Sequence, residues 1–218
     1  MMLRFGRCVL LCLACGIVCG CMEDSSSHGP QLFPRDDAPP AASYKGLAGQ
    51  SCAVMIWPDW AVSTDYPQLQ MDLARLLHER LTAKFTGGKG KASPTQFLNP
   101  ASVVRYQREH PETSALPITD VAPKLGVTRV IYVEVSEFQT HSPASIMLLQ
   151  GNAQATLRVV EVAGGKAKIA FEDAGIQVYF PPDAPEGVVA TDKMNPRAVY
   201  AGTLARLADA LVARFGGD

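Results

Sequence analysis

The chain has 218 residues, a near-balanced charge of 20 Lys+Arg against 21 Asp+Glu, and 47% hydrophobic residues. That length suits one folded domain with appendages, and the charge balance leaves no basic footprint for a nucleic-acid partner. Cys8, Cys12, Cys15, Cys19 and Cys21 crowd the N-terminus and only Cys52 lies beyond them, which excludes a disulfide framework for the folded part.

Arg4 and Arg7 precede a short apolar run, Cys8 to Val18, and small residues then lead to Cys21, the layout of a secretory signal. The run is shorter than the roughly 20 apolar residues of a spanning helix. Val18-Cys19-Gly20-Cys21 resembles a bacterial lipobox, which predicts a signal peptide over 1–20, lipid on Cys21, and a mature protein held on a membrane facing the periplasm. A plain signal peptide or a single membrane anchor is the other reading. Cys15 and Cys19 compete as acceptors, but Cys15 has Cys12 where Leu or Val is favoured, and Cys19 follows Val18 rather than a small residue. Met22 after the acceptor leaves no Asp retention signal there, which favours the outer membrane in bacteria that use that rule.

Met22 to about Ala42 carries Ser25-Ser26-Ser27, Pro30, Pro34, Pro39 and Pro40 with few large apolar residues, a composition that cannot bury enough surface to order itself. About 20 such residues reach on the order of 25 Å as a coil. The lipidated Cys and its tether are placed at 21–47 and the folded domain at 48–218.

The domain opens with Cys52-Ala53-Val54-Met55-Ile56-Trp57, a continuous apolar run of strand length ended by Pro58. A loop from Asp59 to Thr64 is expected next, then Asp65 as the cap of a helix with Pro67 in its first turn and Gln68 three residues on. Leu69, Leu73, Leu76, Leu77, Leu81 and Phe85 form one stripe of that helix, which Gly87-Gly88 ends. Thr95–Leu98 reads as a short strand. Asn99-Pro100 starts a helix that Pro111 stops, and Ile118–Leu125 is a short helix distorted at Pro123.

Val130-Ile131-Tyr132-Val133 is apolar on both faces, as a strand covered on two sides must be. From Glu134 it alternates through Phe138. Gln139–Asn152 reads as a long loop. A second alternating strand turns Ala153, Ala155, Leu157 and Val159 inward, Gly164-Gly165 makes a tight hairpin turn, and a third strand turns Ala167, Ile169 and Phe171 inward. Beyond Asp173-Ala174-Gly175 the phase flips to Ile176, Val178 and Phe180, the mark of a β-bulge. Asn195-Pro196 caps a last helix with the stripe Tyr200, Leu204, Leu207, Leu211 and Phe215. The expected fold is α/β: a single three-layer-like domain, its mixed, largely antiparallel sheet packed by the Tyr66–Phe85 and Pro196–Phe215 helices.

This order of elements resembles the CsgG/TolB-N-terminal group of bacterial envelope lipoproteins. The carrying residues are Ala53 to Ile56, Leu125-Gly126-Val127 with Val130 to Val135, and Ala155 to Val162 with Gly164-Gly165. The resemblance implies a domain that scaffolds or regulates an envelope machine without enzyme activity. Unlike the secretion-pore members, this chain lacks room for two membrane-spanning hairpin inserts, whose strands would take about 9–11 residues each.

Candidate chemistry is sparse. Thr86-Gly87-Gly88-Lys89-Gly90-Lys91-Ala92 imitates a phosphate loop but follows a helix and lacks the Ser or Thr after the Lys. His28, His78, His110 and His141 share no metal-ligand spacing with Cys, Asp or Glu, so neither a metal nor a cofactor is expected. Cys52, at the start of a buried strand, reads as a small core residue rather than a nucleophile, and Asp72, Arg75, Glu79 and Arg80 read as a solvated helix face. Two apolar features remain outside the expected core as contacts for an envelope protein complex. Trp57 and Trp60 flank the carboxyl end of the first strand, where open α/β sheets place ligand crevices, and their plainer reading is a loop tucked onto the domain edge. Ile146, Met147, Leu148 and Leu149 either extend a strand or form an exposed patch. The expected function is therefore a non-enzymatic, lipid-anchored accessory of an envelope assembly. The alternative is a small-ligand-binding or enzymatic domain using the Trp57–Tyr66 loop.

Overall fold

β1 (Ser51–Pro58) carries the logic of the architecture, because both of its faces are apolar and each needs its own cover. In the computed structural model, which describes residues 43–86 and 94–216, Cys52, Val54 and Ile56 join one hydrophobic cluster while Ala53 and Met55 join another. The expected lipobox with Cys21, the signal peptide, the tether to Ala42 and the glycine-rich loop after Thr86 lie outside the described residues.

The chain continues through α1 (Trp60–Asp65), α2 (Leu69–Thr86), β2 (Gln96–Phe97), α3 (Pro100–Glu109), a 3-10 turn at Pro111–Ala115, and α4 (Ile118–Val121) with a 3-10 extension to Leu125. There follow β3 (Arg129–Ser142), β4 (Ser145–Ala163), β5 (Lys166–Phe180), β6 (Val188–Val189) and α5 (Pro196–Ala213). The sheet runs β2-β1-β3-β4-β5, with β6 added to β4. β1 pairs parallel with β2 and β3, and β3, β4 and β5 form an antiparallel meander. This is the expected α/β fold with a mixed sheet packed by helices.

On one face, Leu69, Leu73, Leu77, Leu81 and Phe85 of α2 and Leu204, Leu207 and Leu211 of α5 cover Ile131, Val133, Ala155 and Leu157. On the other, Val103 of α3 with Val121 and Ala122 cover Ala53, Met55, Val130 and Val160. Asn195 caps α5 as its sequence predicts, its Oδ1 accepting from Ala198 N at 3.0 Å. The charged face expected on α2 is partly a seam with α5: Asp72 accepts from Tyr200 Oη at 2.9 Å, and Arg80 donates to the Ala205 carbonyl at 2.6 Å.

Several expectations change. Residues 59–64 are largely helical as α1, and Asp65 ends that helix instead of capping α2. Pro67 is the cause: it disfavours helical backbone at Tyr66, which sits at φ −131°, ψ 67°, so the helix stops and restarts. Tyr44 and Leu47, placed in the tether, belong to the core. Tyr44 bridges to Phe215, and its N–H bonds the Arg214 carbonyl at 2.8 Å. The expected loop at Gln139–Asn152 is strand on both sides of a two-residue turn, with Ser142 opposite Ser145. Buried polar side chains hid the alternation. Thr140 meets Tyr66 Oη at 3.2 Å, and Gln150 donates its amide to the Pro185 carbonyl.

In β5 the Gly175 bulge stands as the phase flip requires: Ala155 pairs with Ile176 but Leu157 with Asp173, and Gly175 has φ +75°. A second slip nearby puts Val159 opposite Phe171 and Val160 opposite Ile169. Ile169 is therefore exposed instead of inward, and Ala167 and Phe171 serve opposite faces.

Candidate functional site

The carboxyl end of β1 is pinned from two helices. The Ile56 carbonyl accepts from Gln70 Nε2 of α2 and from Gln107 Nε2 of α3, each at 3.0 Å. The chain then turns at Pro58, and Asp59 N donates to the Val135 carbonyl at 2.8 Å. This fixes where Trp57 and Trp60 stand. Trp57 is half-buried against the α3-side cluster, whereas Trp60 is 79% exposed at the start of α1.

Trp60 forms a ridge between two clefts. One, of about 430 Å³, has Trp57, Pro58 and Ser63 on its walls and Gln107, Arg108 and Ser114 across from them. The other, of about 300 Å³, shares Trp57, Pro58 and Trp60 but adds Asp59, Glu134 and Ser136. The two differ in charge, since the first carries a guanidinium and the second two carboxylates.

Glu134 belongs to a polar network on the uncovered part of the sheet. It accepts from Tyr132 Oη at 3.0 Å and from Arg158 Nη1 at 2.7 Å, and Arg158 Nε reaches Glu172 at 2.8 Å. Burial, and then the Glu134 carboxylate, push the Tyr132 phenol above its ordinary range. Burial works against the charge on Arg158, but the hydrogen bonds it donates to Glu172 and Glu134 outweigh it and raise its pKa.

In the first cleft, Gln107 is only 4% exposed and its Oε1 has no hydrogen-bond partner. The orientation of this amide is fixed by its surroundings. The Ile56 carbonyl can only accept, so Nε2 must face it and the oxygen is left over. Such a buried unpaired acceptor costs about 1–3 kcal/mol. The sequence did carry a signal for it: Gln107 falls four residues after Val103, on the buried face of its helix.

At the β3–β4 hairpin the four apolar residues divide. Ile146 and Met147, in the start of β4 where no residue of β3 or β6 stands opposite them, are 85% and 74% exposed. Leu148 is half-buried opposite Val189, and Leu149, between His141 and Val188, is buried. The contact patch expected there therefore shrinks to Ile146 and Met147 and gains the exposed Val189, from a short strand that sequence reading missed.

Cys52 is fully buried, and burial pushes its thiol up to about 12, which makes it a poor nucleophile. His110 contacts Glu112 at 3.1 Å, His141 contacts Thr140 at 3.2 Å, and His78 packs edgewise on Phe97. Among the described residues no group of three His, Cys, Asp or Glu is placed to hold a metal, and no helix is long and apolar enough to cross a membrane. At the end of β1 the clefts offer aromatic walls, with the Arg108 guanidinium on one side and the Asp59 and Glu134 carboxylates on the other.

No family model and no curated protein matches the chain. Solved structures similar to it include the hypothetical protein CT253 from Chlamydia trachomatis, at 13% identity and TM-score 0.41, covering 77% of this chain and 98% of that one. The lipoprotein GNA1162 from Neisseria meningitidis is similar at 16% identity and TM-score 0.42, covering 74% and 94%. A PelC dodecamer from Paraburkholderia phytofirmans is similar at 12% identity and TM-score 0.41, covering 83% and 95%. Likeness at that level speaks to neither family nor function, and the CsgG/TolB resemblance stays one of element order.

Proposed function

We propose that the chain is a lipid-anchored periplasmic lipoprotein that acts without catalysis, docking its folded domain on an envelope protein complex. The observation that carries this reading is the set of large apolar side chains the core leaves outside: Trp60, Ile146 and Met147, each more than 70% exposed. Tryptophan is enriched among residues that dominate interface energy, and truncating such an anchor costs about 2 kcal/mol or more. The lipobox ending at Cys21 and the proline-rich segment after it support the address.

The test is made in cells. Cys21→Ala releases the protein or blocks its processing and removes incorporated palmitate, whereas Cys15→Ala does neither. Trp60→Ala weakens crosslinking to the partner while the thermal midpoint stays near wild type. Unchanged membrane association and processing in Cys21→Ala refutes the anchor, and undiminished crosslinking in Trp60→Ala together with Ile146→Ala and Met147→Ala refutes the docking role.

A further inference from the structure

We infer that the end of the domain where the chain from Cys21 enters rests on an anionic bilayer, held there by Lys45, Lys84, Lys166 and Lys168, which turns the Ile146–Met147 hairpin away from that membrane. This rests on the lipid anchor proposed above and adds which end the anchored domain turns to the lipid.

The two ends of the sheet differ in charge. Residue 43 is the first described, and Tyr44 after it is bonded into a row formed by Arg129, Glu161 and Lys168 on neighbouring strands. Tyr44 Oη donates to Glu161 at 2.9 Å and accepts from Arg129 Nε at 2.9 Å. Around this row Lys45 lies beside Gly216, Lys84 Nζ donates to the Val212 carbonyl at 3.1 Å, and Lys166 and Lys168 belong to the β4–β5 hairpin. All four lysines are exposed. Glu161, the carboxylate in the row, already takes Arg129 at 3.5 Å and Lys168 at 3.3 Å. Lys45, Lys84 and Lys166 make no ion pair among the described residues, so their charge is left for a partner.

From that row the 14 residues of β3 lead away to the Ile146–Met147 hairpin, a distance of roughly 40 Å at the rise of a strand. Near the far end Asp183 and Glu186 flank Pro185, whose carbonyl is bonded by Gln150 of β4, and both carboxylates are exposed. An anionic surface attracts the lysines and repels these carboxylates. The chain from the lipidated Cys joins the domain at the basic end, so leash and charge favour one orientation. Ile146 and Met147 are then presented to a protein partner instead of being spent on the anchoring bilayer.

The lipid-bearing protein is reconstituted into vesicles of phosphatidylcholine alone or with one third phosphatidylglycerol, each containing a nitroxide on lipid headgroups. Two cysteine variants carry a fluorescent label: Ala163→Cys, exposed on the β4–β5 turn, and Ile146→Cys at the opposite end. Cys52 is fully buried and stays unlabelled in the folded protein. The label at 163 is expected to be quenched in the anionic vesicles and the label at 146 to be spared. Each lysine near such a surface favours contact roughly fivefold, so Lys45→Gln, Lys166→Gln and Lys168→Gln together lower the docked-to-free ratio about a hundredfold. Salt at about 1 M shortens the screening length from about 10 Å to about 3 Å and acts alike on the unsubstituted chain.

Equal quenching at 163 with and without anionic lipid overturns the inference, as does a triple variant or a high-salt sample that docks like wild type. Quenching at 146 equal to that at 163 also overturns it, and assigns the apolar hairpin to the bilayer. A lipid-bearing chain whose label at 163 ignores anionic lipid leaves the anchor standing without this orientation. A chain that proves to carry no lipid, yet whose label at 163 is drawn to anionic vesicles, refutes the anchor and leaves the basic end as the membrane contact.

Discussion

Replacing Leu149 by Ala separates core from contact surface at the β3–β4 hairpin. Its side chain is 3% exposed, held in the sheet between His141 and Val188. Truncating a buried leucine loses the transfer free energy of the deleted carbons and leaves a cavity, together about 2–5 kcal/mol. A domain of this size loses about 2–4 °C of thermal midpoint per kcal/mol, so Leu149→Ala should fall by roughly 5–15 °C. Ile146→Ala and Met147→Ala remove side chains that already face solvent, and each should stay within about 0.5 kcal/mol of wild type. Thermal unfolding followed by far-UV circular dichroism reads all three variants on one scale. A Leu149→Ala midpoint within about 2 °C of wild type, or an Ile146→Ala midpoint that falls as far as that of Leu149→Ala, refutes this division of the hairpin.

Gly175→Ala tests the bulge. Beyond its own residue and chain neighbours no atom lies within 4 Å of where its Cβ would stand, so the effect is backbone strain at φ +75°, about 1–2 kcal/mol, and an unchanged denaturant midpoint would contradict it. Stability should also fall on the alkaline side through Cys52. Its folded pKa is raised from 9.0 to about 12 by burial, so its contribution is complete below 9 and is lost as pH rises towards 12. Midpoints measured across that window should decline less steeply in Cys52→Ala, and a thiol reagent should modify Cys52 only on unfolding. Parallel curves for the two proteins would remove the thiol from the account.

Most of the sheet was legible because hydrophobic period is a strong signal where every inward residue is apolar. Ala153, Ala155, Leu157 and Val159 point inward as their alternation requires, and the phase flip at Gly175 located the bulge. The signal failed where polar residues do core work. Thr140, Ser142 and Gln150 are buried, so the strands around them read as loop. The candidate site was half legible for the same reason. Two tryptophans at a strand's carboxyl end announced themselves, but Gln107 looked like one more polar helix residue and Arg108 like surface charge. What gives Gln107 its place is the end of β1, since its bond to Ile56 spans 51 residues, and no local pattern carries that distance.

The seam where parallel pairing meets antiparallel also dictates an order of assembly. β3, β4 and β5 are joined by two-residue turns and can zip from neighbouring sequence. β1 must find β3 across a separation of 77 residues, as between Ser51 and Thr128, and that loop closure has to precede any gain from the contact. A chain delivered N-terminus first would therefore present its greasiest segment, Cys52 to Trp57, well before its partner strand exists. Until β3 arrives, that segment is an unpaired strand of the kind that recruits other chains, so it is where a holding chaperone would have most to protect. Pulse-labelled hydrogen exchange during refolding reads this directly: amides of β4 and β5 should gain protection before those of β1.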